Sequence, residues 1–225
     1  MHIEPGIVTG AKLVLSYAAG IAAGGVALKL AAETVREQGI GSFAARTLVT
    51  TGLVLVFFEI LPHFPVGVSE VHLILGSTLF LLFGAAPAAF GLAFGLLLQG
   101  LFFELQDIPQ YGMNVTTLLV PLFAIQAIAS RIIARNTAYV DLKYRQALAL
   151  STTYQAGVIG WVAFWALYGS GFAMSNLANI ASFAAAYALV IVIEPLADLA
   201  VLALAKSVRG VTAPGLVTPR LHNAV

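Results

Sequence analysis

Long apolar stretches, separated by short polar segments, constrain the fold of this chain more than any other feature. We place them at residues 13–31, 43–61, 73–84, 87–104, 115–134, 147–168 and 180–203. A helix that crosses the hydrocarbon core of a bilayer, roughly 30 Å thick, needs about 20 mostly apolar residues. The sequence therefore predicts an all-α, multi-pass membrane protein with about seven transmembrane helices.

The composition excludes a soluble protein. Apolar residues make up 60% of the 225 residues, and only 9% are charged, whereas a soluble domain carries about 25% charged residues. A net charge of +1 offers no basic surface for nucleic acid, so we expect the lipid bilayer and not nucleic acid as a partner. Because the chain has no Cys, any metal site must use His, carboxylate, amide or backbone groups.

The third apolar stretch is too short to cross a bilayer on its own. Its 12 residues would rise about 18 Å as a helix, and Gly84-Ala85-Ala86-Pro87 predicts a tight turn into the fourth stretch. Residues 73–104 therefore form either two helices or one re-entrant unit. We expect two helices, because a re-entrant unit would divide the basic residues between the two sides of the membrane.

Basic residues cluster on one predicted side of the membrane. With seven crossings, four segments share that side, namely 32–46, 84–87, 135–146 and 204–225. Ten of the eleven Lys and Arg residues lie in or next to these segments, and only Lys12 falls on the other side. The positive-inside rule then predicts an outside N-terminus and an inside C-terminus. We interpret residues 1–209 as one integral membrane domain and 210–225 as a short cytoplasmic tail.

The first apolar stretch contains a run of small residues. From Ala18 to Gly25, Ala or Gly recurs at a spacing of four residues, which lets two helices approach closely in a membrane. This face packs either within the chain or against a partner membrane subunit.

Three of the four histidines, His2, His63 and His72, fall on the predicted outer side. His2 directly follows Met1, so the terminal amine, the amide nitrogen of residue 2 and the imidazole can bind one metal ion in two adjoining chelate rings. Such a nitrogen set favours Ni(II), Cu(II) or Co(II) in a square-planar or tetragonal geometry. The apolar segment that follows is too short to span a membrane, so we expect residues 1–12 to insert into the protein.

His72 is the candidate for the fourth ligand. It begins the short third stretch, whose missing length implies that the preceding loop dips below the membrane surface, where an inserted N-terminus can meet it. A histidine that merely begins a helix is the alternative. His63, which follows Glu59 by four residues and lies between Pro62 and Pro65, is interpreted as a loop or entrance residue rather than a ligand.

Four further polar residues lie in or at the ends of the apolar stretches. Gln99 either packs against its neighbours or orients a ligand. Asn114 either caps the fifth helix or supports the metal site. Glu194 and Asp198, four residues apart near the inner end of the seventh stretch, are expected to pair with Arg or Lys of the inner loops.

Several of these motifs occur together in one known family. They are the start Met1-His2-Ile3-x-x-Gly6, the loop Gly67-Val68-Ser69-Glu70-Val71-His72-Leu73, the turn and helix from Gly84 to Gln99, and Gly112-Met113-Asn114. In these features the chain resembles the CbiM/NikM family, the substrate-capturing membrane components of energy-coupling-factor transporters for cobalt and nickel. The resemblance covers residues 1–130 and continues more loosely to the end.

The resemblance implies a ligand set and a set of partners. In the family the metal is held by the N-terminal amine, the amide and imidazole of residue 2 and a later histidine, which correspond to Met1, His2 and His72. The residues expected to line the entrance or to support the ligands are His63, Ser69, Gln99 and Asn114. Co(II) or Ni(II) is then the transported substrate, with no bound organic cofactor. The implied partners are a coupling transmembrane subunit, ATPase subunits and, in some systems, a small accessory membrane subunit.

We therefore expect a non-enzymatic function, the uptake of cobalt or nickel through an outward-facing site in the cell membrane. The chain has no Gly-x-x-x-x-Gly-Lys-[Ser/Thr] loop, so separate ATPase subunits must supply the energy. One alternative is a binding component for an organic vitamin. Another is an intramembrane metalloenzyme with Glu59, His63 and His72 around Zn(II), although the chain has no His-Glu-x-x-His motif.

Overall fold

The computed structural model describes residues 3–208 and 215–223. The α-helices in these residues are α1 (Leu13–Gln38), α2 (Ile40–Glu59), α3 (Gly76–Phe83), α4 (Ala85–Phe102), α5 (Tyr111–Ile132), α6 (Tyr144–Ser170) and α7 (Met174–Ser207). The prediction of an all-α membrane protein with seven helices is confirmed. Two short antiparallel strands, β1 (Phe64–Val66) and β2 (Ser69–Val71), form a hairpin between α2 and α3 that the sequence analysis did not predict.

Within the described residues, six helices are long and apolar enough to cross a membrane, and α3 is the exception. The predicted stretch 73–84 contains a helix of only eight residues, which rises about 12 Å. Leu75 explains the late start, because its φ of 54° lies in the left-handed region that a right-handed helix excludes. The expectation of two helices within 73–104 is confirmed, since Gly84 separates α3 from α4.

Helices α2 and α4 run parallel and pack along much of their length. Nη1 of Arg46 donates a hydrogen bond to the carbonyl oxygen of Phe83 at 2.7 Å, and the Thr50 hydroxyl lies 2.9 Å from the carbonyl oxygen of Pro87. One turn further along α4, Gly91 packs against Thr50 so closely that a Cβ added at Gly91 would lie 2.2 Å from the Thr50 hydroxyl oxygen. Because α2 and α4 point in the same direction, the chain between them, residues 60–84, must run back along the bundle to the end at which α2 begins.

This return segment descends along α7. The turn of the β1–β2 hairpin touches the backbone of Asn179, the His72 carbonyl accepts a hydrogen bond from the Tyr187 hydroxyl at 3.2 Å, and the Thr78 hydroxyl reaches Asp198. At 1.5 Å per helical residue, the three contacts are spaced by about 12 and then 16 Å along α7. His72 consequently lies well inside the bundle, between the hairpin and the start of α3.

The small-residue run of α1 divides between two environments. Gly20 faces Gly112 of α5, where an added Cβ would lie 3.5 Å from the Gly112 Cα. An added Cβ at Gly24 or Gly25 would meet nothing within 4 Å among the described residues. Packing within the chain therefore uses part of the run, and the rest faces outward from the bundle.

Residues 215–223 pack against the end of the bundle opposite to the hairpin. The Thr218 amide donates a hydrogen bond to the carbonyl oxygen of Leu82 at 2.8 Å, Leu221 is fully buried, and the Arg220 guanidinium lies 5.0 Å from the ring centroid of Tyr139. We call the end that carries β1 and β2 the hairpin end, and this one the opposite end.

Candidate metal site

The N-terminal segment lies inside the protein at the hairpin end. Ile3 is fully buried and forms an antiparallel bridge with Ser69 of β2. Its amide nitrogen donates a hydrogen bond to Oδ1 of Asn114 at 3.0 Å, and the Glu4 amide donates to the carbonyl of Val68 at 3.1 Å. A single β-bridge at Ile3 and the backbone bond of Glu4 thus hold the segment against the hairpin.

Contacts with the end of α6 fix the other side of this segment. Gly6 turns the chain with a φ of 95°, a value that glycine adopts without steric cost. Beyond the turn, the Ile7 backbone packs on Gly169, where an added Cβ would come within 2.1 Å of the Ile7 carbonyl oxygen. Lys12 then donates to the carbonyl oxygens of Tyr168 and Gly169 at 3.0 and 2.9 Å. The segment between Ile3 and Lys12 is therefore anchored at both ends.

His72 follows β2 directly and is only 1% exposed. Its Nε2 lies 2.9 Å from Oε2 of Glu70, and its ring packs 5.2 Å from the ring centroid of Phe58. When Nε2–H donates to the carboxylate, the imidazole lone pair is on Nδ1. A carboxylate that fixes the tautomer and orientation of an imidazole is typical of metal-binding histidines.

His63 stacks on His72. The ring centroids are 4.8 Å apart and the ring planes differ by 12°, while the His63 ring is half-buried and its Nδ1 lies 3.3 Å from the Leu61 carbonyl oxygen. Lone pairs of stacked rings lie in two parallel planes and do not converge on one ion. This geometry does not favour His63 and His72 as two ligands of one ion.

The described residues do not assemble the alternative zinc triad. No three His, Asp or Glu side chains in this part of the chain cluster closely enough to hold a metal ion. Glu59 is half-buried in the last position of α2, and it does not join His63 and His72 in such a group.

Three other predicted site residues are buried at the hairpin end. Ser69 is fully buried opposite Ile3, and Gln99 is 2% exposed in the last turn of α4. Asn114 does not cap α5, because it is the fourth residue of the helix and its side chain binds the Ile3 amide. Of the two interpretations of Asn114, the structure favours a supporting role beside the N-terminal segment.

Met1 and His2 lie outside the described residues. Of the predicted ligands the structure describes His72, and it describes Ile3, the residue next to His2 in the sequence. The sequence analysis missed three residues that contact His72, namely Phe58, Glu70 and Tyr187. Glu70 was predictable, because residues two apart in an extended strand point to the same side, whereas the contact of Tyr187 depends on tertiary packing.

The prediction that Glu194 and Asp198 pair with basic residues is wrong. Both side chains are fully buried, and they contact the hydroxyls of Ser77, Thr78 and Ser151 and the amide of Gln155. Glu194 lies 13 residues before the last residue of α7, about 20 Å along the helix. Among the residues that the structure describes, no Lys or Arg forms an ion pair with either carboxylate.

Comparisons with known proteins agree with this fold. A solved structure described as the crystal structure of a transition metal transporter superposes with a TM-score of 0.70, covering 92% of this chain and 93% of that chain at 17% sequence identity. At this identity the match shows a shared fold. A search of curated proteins found no significant match.

The fold defines a multi-pass membrane protein. The family model described as the cobalt uptake substrate-specific transmembrane region matches residues 2–211. The chain therefore belongs to the CbiM family, and it is a membrane component of metal uptake.

Proposed function

We propose that this chain captures Co(II) or Ni(II) at a site formed by the Met1 amine, the amide and imidazole nitrogens of His2, and His72. The burial of Ile3 beside the hairpin that leads to His72 carries the proposal. His2 is the residue directly before the buried Ile3, and Ser69, which pairs with Ile3, lies three residues before His72.

The chemistry of this ligand set accounts for selectivity toward late transition metals. Four nitrogen ligands, three of them in fused chelate rings, suit Ni(II), Cu(II) and Co(II) better than Mg(II) or Ca(II), which prefer oxygen. The amine, amide and imidazole must lose protons to coordinate, so binding releases protons and the affinity rises with pH. Glu70 supports the site by orienting the His72 ring.

The transport cycle assigns different tasks to the two ends of the bundle. The hairpin end faces outward and takes up the ion, with His63 at the entrance. The opposite end, near Arg46, Tyr139 and Arg220, faces the cytoplasm. A coupling transmembrane subunit and ATPase subunits supply the energy, and the chain itself is not an enzyme. The outward-facing part of the α1 small-residue run, at Gly24 and Gly25, is the candidate surface for a partner membrane subunit.

Metal analysis after chemical blocking of the amine tests this proposal. Purified protein with its native start should retain Co(II) or Ni(II) through gel filtration. Protein that is acetylated at the N-terminus should lose it, because an acetylated nitrogen is a poor ligand. A vitamin-binding component or a zinc enzyme at Glu59, His63 and His72 would be insensitive to acetylation, and that outcome rejects the proposal.

A further inference from the structure

A buried polar cluster lies between α3, α6 and α7, further from the hairpin end than His72. Its two carboxylates, Glu194 and Asp198, are fully buried. The other members, which donate to them, are Ser77, Thr78, Ser151 and Gln155. In the part of the chain that the structure describes, no Lys, Arg or His makes an ion pair with either carboxylate. The proposed nitrogen site does not use this cluster.

The Ser77 hydroxyl lies close to both carboxylates but has only one hydrogen to donate. The Ser77 hydroxyl oxygen lies 2.7 Å from Oδ2 of Asp198 and 3.2 Å from Oε1 of Glu194. A hydroxyl carries one hydrogen, so it can donate to only one of these carboxylates. Thr78 serves the other oxygen of Asp198. The Ser77 and Glu194 oxygen atoms that face each other without a hydrogen between them need either a proton or a metal cation at that place.

The charge of the cluster leads to the same conclusion. When both carboxylates are ionised they carry two negative charges, and the N-terminus of α3, which begins at Gly76 beside them, supplies only about half a positive charge. Most of the negative charge is therefore uncompensated by the described residues. Ionisable residues within a membrane bundle mark ion or proton pathways as a rule.

Two polar atoms at the cluster have no hydrogen-bond partner among the described residues. They are Oε1 of Gln155 and the hydroxyl of Tyr154, and both residues are fully buried. The amide nitrogen of Gln155 contacts Glu194, so the unpartnered oxygen belongs to a carboxamide already at the cluster. The Tyr154 ring covers Gly76, where an added Cβ would come within 2.1 Å of it. Buried polar atoms without partners are rare in proteins, and both of these oxygens can bind a cation.

We propose that this cluster is a second cation site, which binds a divalent metal ion through the oxygen atoms of Glu194, Asp198, Ser77, Thr78 and Gln155. Carboxylate, hydroxyl and amide oxygens are ligands for hard and borderline divalent ions. The site needs no residue of the N-terminal chelate, and it exists whether or not that chelate binds metal.

The position of the cluster fits an intermediate station for a transported ion. Tyr187, whose hydroxyl binds the His72 carbonyl, precedes Glu194 by seven residues on α7, or about 10 Å. An ion that leaves the nitrogen ligands toward the opposite end meets this cluster next. Oxygen ligands hold late transition metals less tightly than nitrogen ligands do, which lets the ion move on. This step rests on the proposed metal uptake, whereas the cation site itself does not.

Titration with Mn(II) as the sole added metal tests the second site, and the loss of the EPR signal of the free ion measures the binding. Mn(II) is the appropriate probe because it prefers oxygen ligands. His72→Ala protein removes the contribution of the nitrogen site, and it should still bind Mn(II) saturably. Adding Glu194→Gln and Asp198→Asn, which keep the side-chain shapes, should weaken Mn(II) binding by about tenfold or more. Asp141→Asn is the matched control, because Asp141 is a half-exposed carboxylate that pairs with Lys206 elsewhere.

A second variant covers the case in which the double substitution prevents folding. Ser77→Ala removes one oxygen ligand without changing the charge, and it should also weaken Mn(II) binding in folded protein. Unchanged Mn(II) affinity in the folded variants, or no saturable binding to His72→Ala protein, overturns the proposal and leaves the cluster with a proton only. If Mn(II) binding behaves as expected while native protein binds neither Co(II) nor Ni(II) tightly, the second site stands and the proposed function fails.

Discussion

The amide nitrogen of Ile3 donates a hydrogen bond of 3.0 Å to Oδ1 of Asn114, a residue 111 positions later in the chain. Both residues are buried, and the bond joins the N-terminal segment to the first turn of α5. The residues that bind this segment belong to β2 and α5, which are distant in the sequence, so no local interaction can replace these contacts. The bond therefore makes the placement of the N-terminus a property of the folded bundle.

Asn114→Ala should weaken metal binding although Asn114 is not a ligand. The substitution leaves the Ile3 amide buried without its acceptor, at a cost of about 1–3 kcal/mol, which corresponds to roughly a tenfold to hundredfold loss of affinity. Titration of purified protein with Co(II) or Ni(II) measures the loss. Thr117→Val is the matched control in the same helix, because the Thr117 hydroxyl donates only to the Met113 carbonyl of its own helix. Equal affinities for the two variants would show that the bond to Ile3 does not position the site.

His72→Ala should abolish tight binding of Co(II) or Ni(II), because it removes the only proposed ligand outside the first two residues. His222→Ala, in the C-terminal region at the opposite end, should bind metal as the native protein does. His63→Ala should change the equilibrium affinity little, since its ring stacks on His72 and does not converge on the same point. Isothermal titration of the three variants gives the comparison. Native affinity in His72→Ala would refute the ligand assignment.

Glu70→Gln should reduce the metal affinity by about tenfold to a hundredfold, the range found when a partner that orients a metal-binding histidine is replaced. The amide keeps the shape of the carboxylate but not its charge, so the His72 ring becomes a weaker donor. Glu104→Gln is a suitable control, because Glu104 lies in the loop after α4 and its carboxylate contacts Gln106. Competition with a coloured chelator measures both affinities. A loss of the same size in both variants would mean that surface charge, and not the orientation of His72, causes the effect.

The seven helices were predictable because a chain in lipid must satisfy its backbone hydrogen bonds internally, and long apolar stretches then leave few alternatives to helices. The hairpin was not predictable in the same way. Its strands have three residues each, and β2 also pairs with the distant Ile3. The left-handed conformation of Leu75, which shortens α3, carries no sequence signal such as glycine.

The candidate site was partly predictable for related reasons. The burial of His72 within the bundle could be inferred from the short third stretch, whereas the N-terminal chelate remains a prediction from residue types. The contacts of Glu194 could not, because they exist only once the return segment has descended along α7 and brought Ser77 to it. In general, the ligand types within one segment could be predicted from the sequence. Contacts between distant segments could not, because they depend on how the folded chain is routed through the bundle.

Single-cysteine labelling tests the predicted orientation, and the chain suits it because it has no native Cys. Phe172→Cys lies in the turn before α7 at the hairpin end, where Phe172 is 78% exposed. Asn136→Cys lies in the exposed loop after α5 at the opposite end. A membrane-impermeant maleimide should label position 172 in intact cells and position 136 only after permeabilisation. The reverse pattern would place the hairpin end in the cytoplasm and contradict uptake from outside.

Adding a single Ala before Met1 should abolish tight binding of Co(II) or Ni(II), although no side chain is lost. The added residue turns the Met1 amine into a peptide nitrogen and moves the free amine one residue further from the His2 amide. The chelate rings then change size. The variant is best made by cleavage of a removable tag, with mass spectrometry to verify both N-termini, and its metal affinity is compared with that of the native start.

The described structure explains why the segment cannot shift to compensate for the extra residue. Ile3 is held by Ser69 and Asn114, and a slip by one residue would turn its side chain out of the core, because side chains alternate between the two faces of a strand. Beyond the turn, Ile7 packs tightly on Gly169. A control with Ala inserted after Val225, at the other end of the sequence, should bind metal normally. If the N-terminally extended protein binds as tightly as this control, the amine is not a ligand, and His72 must belong to a different site.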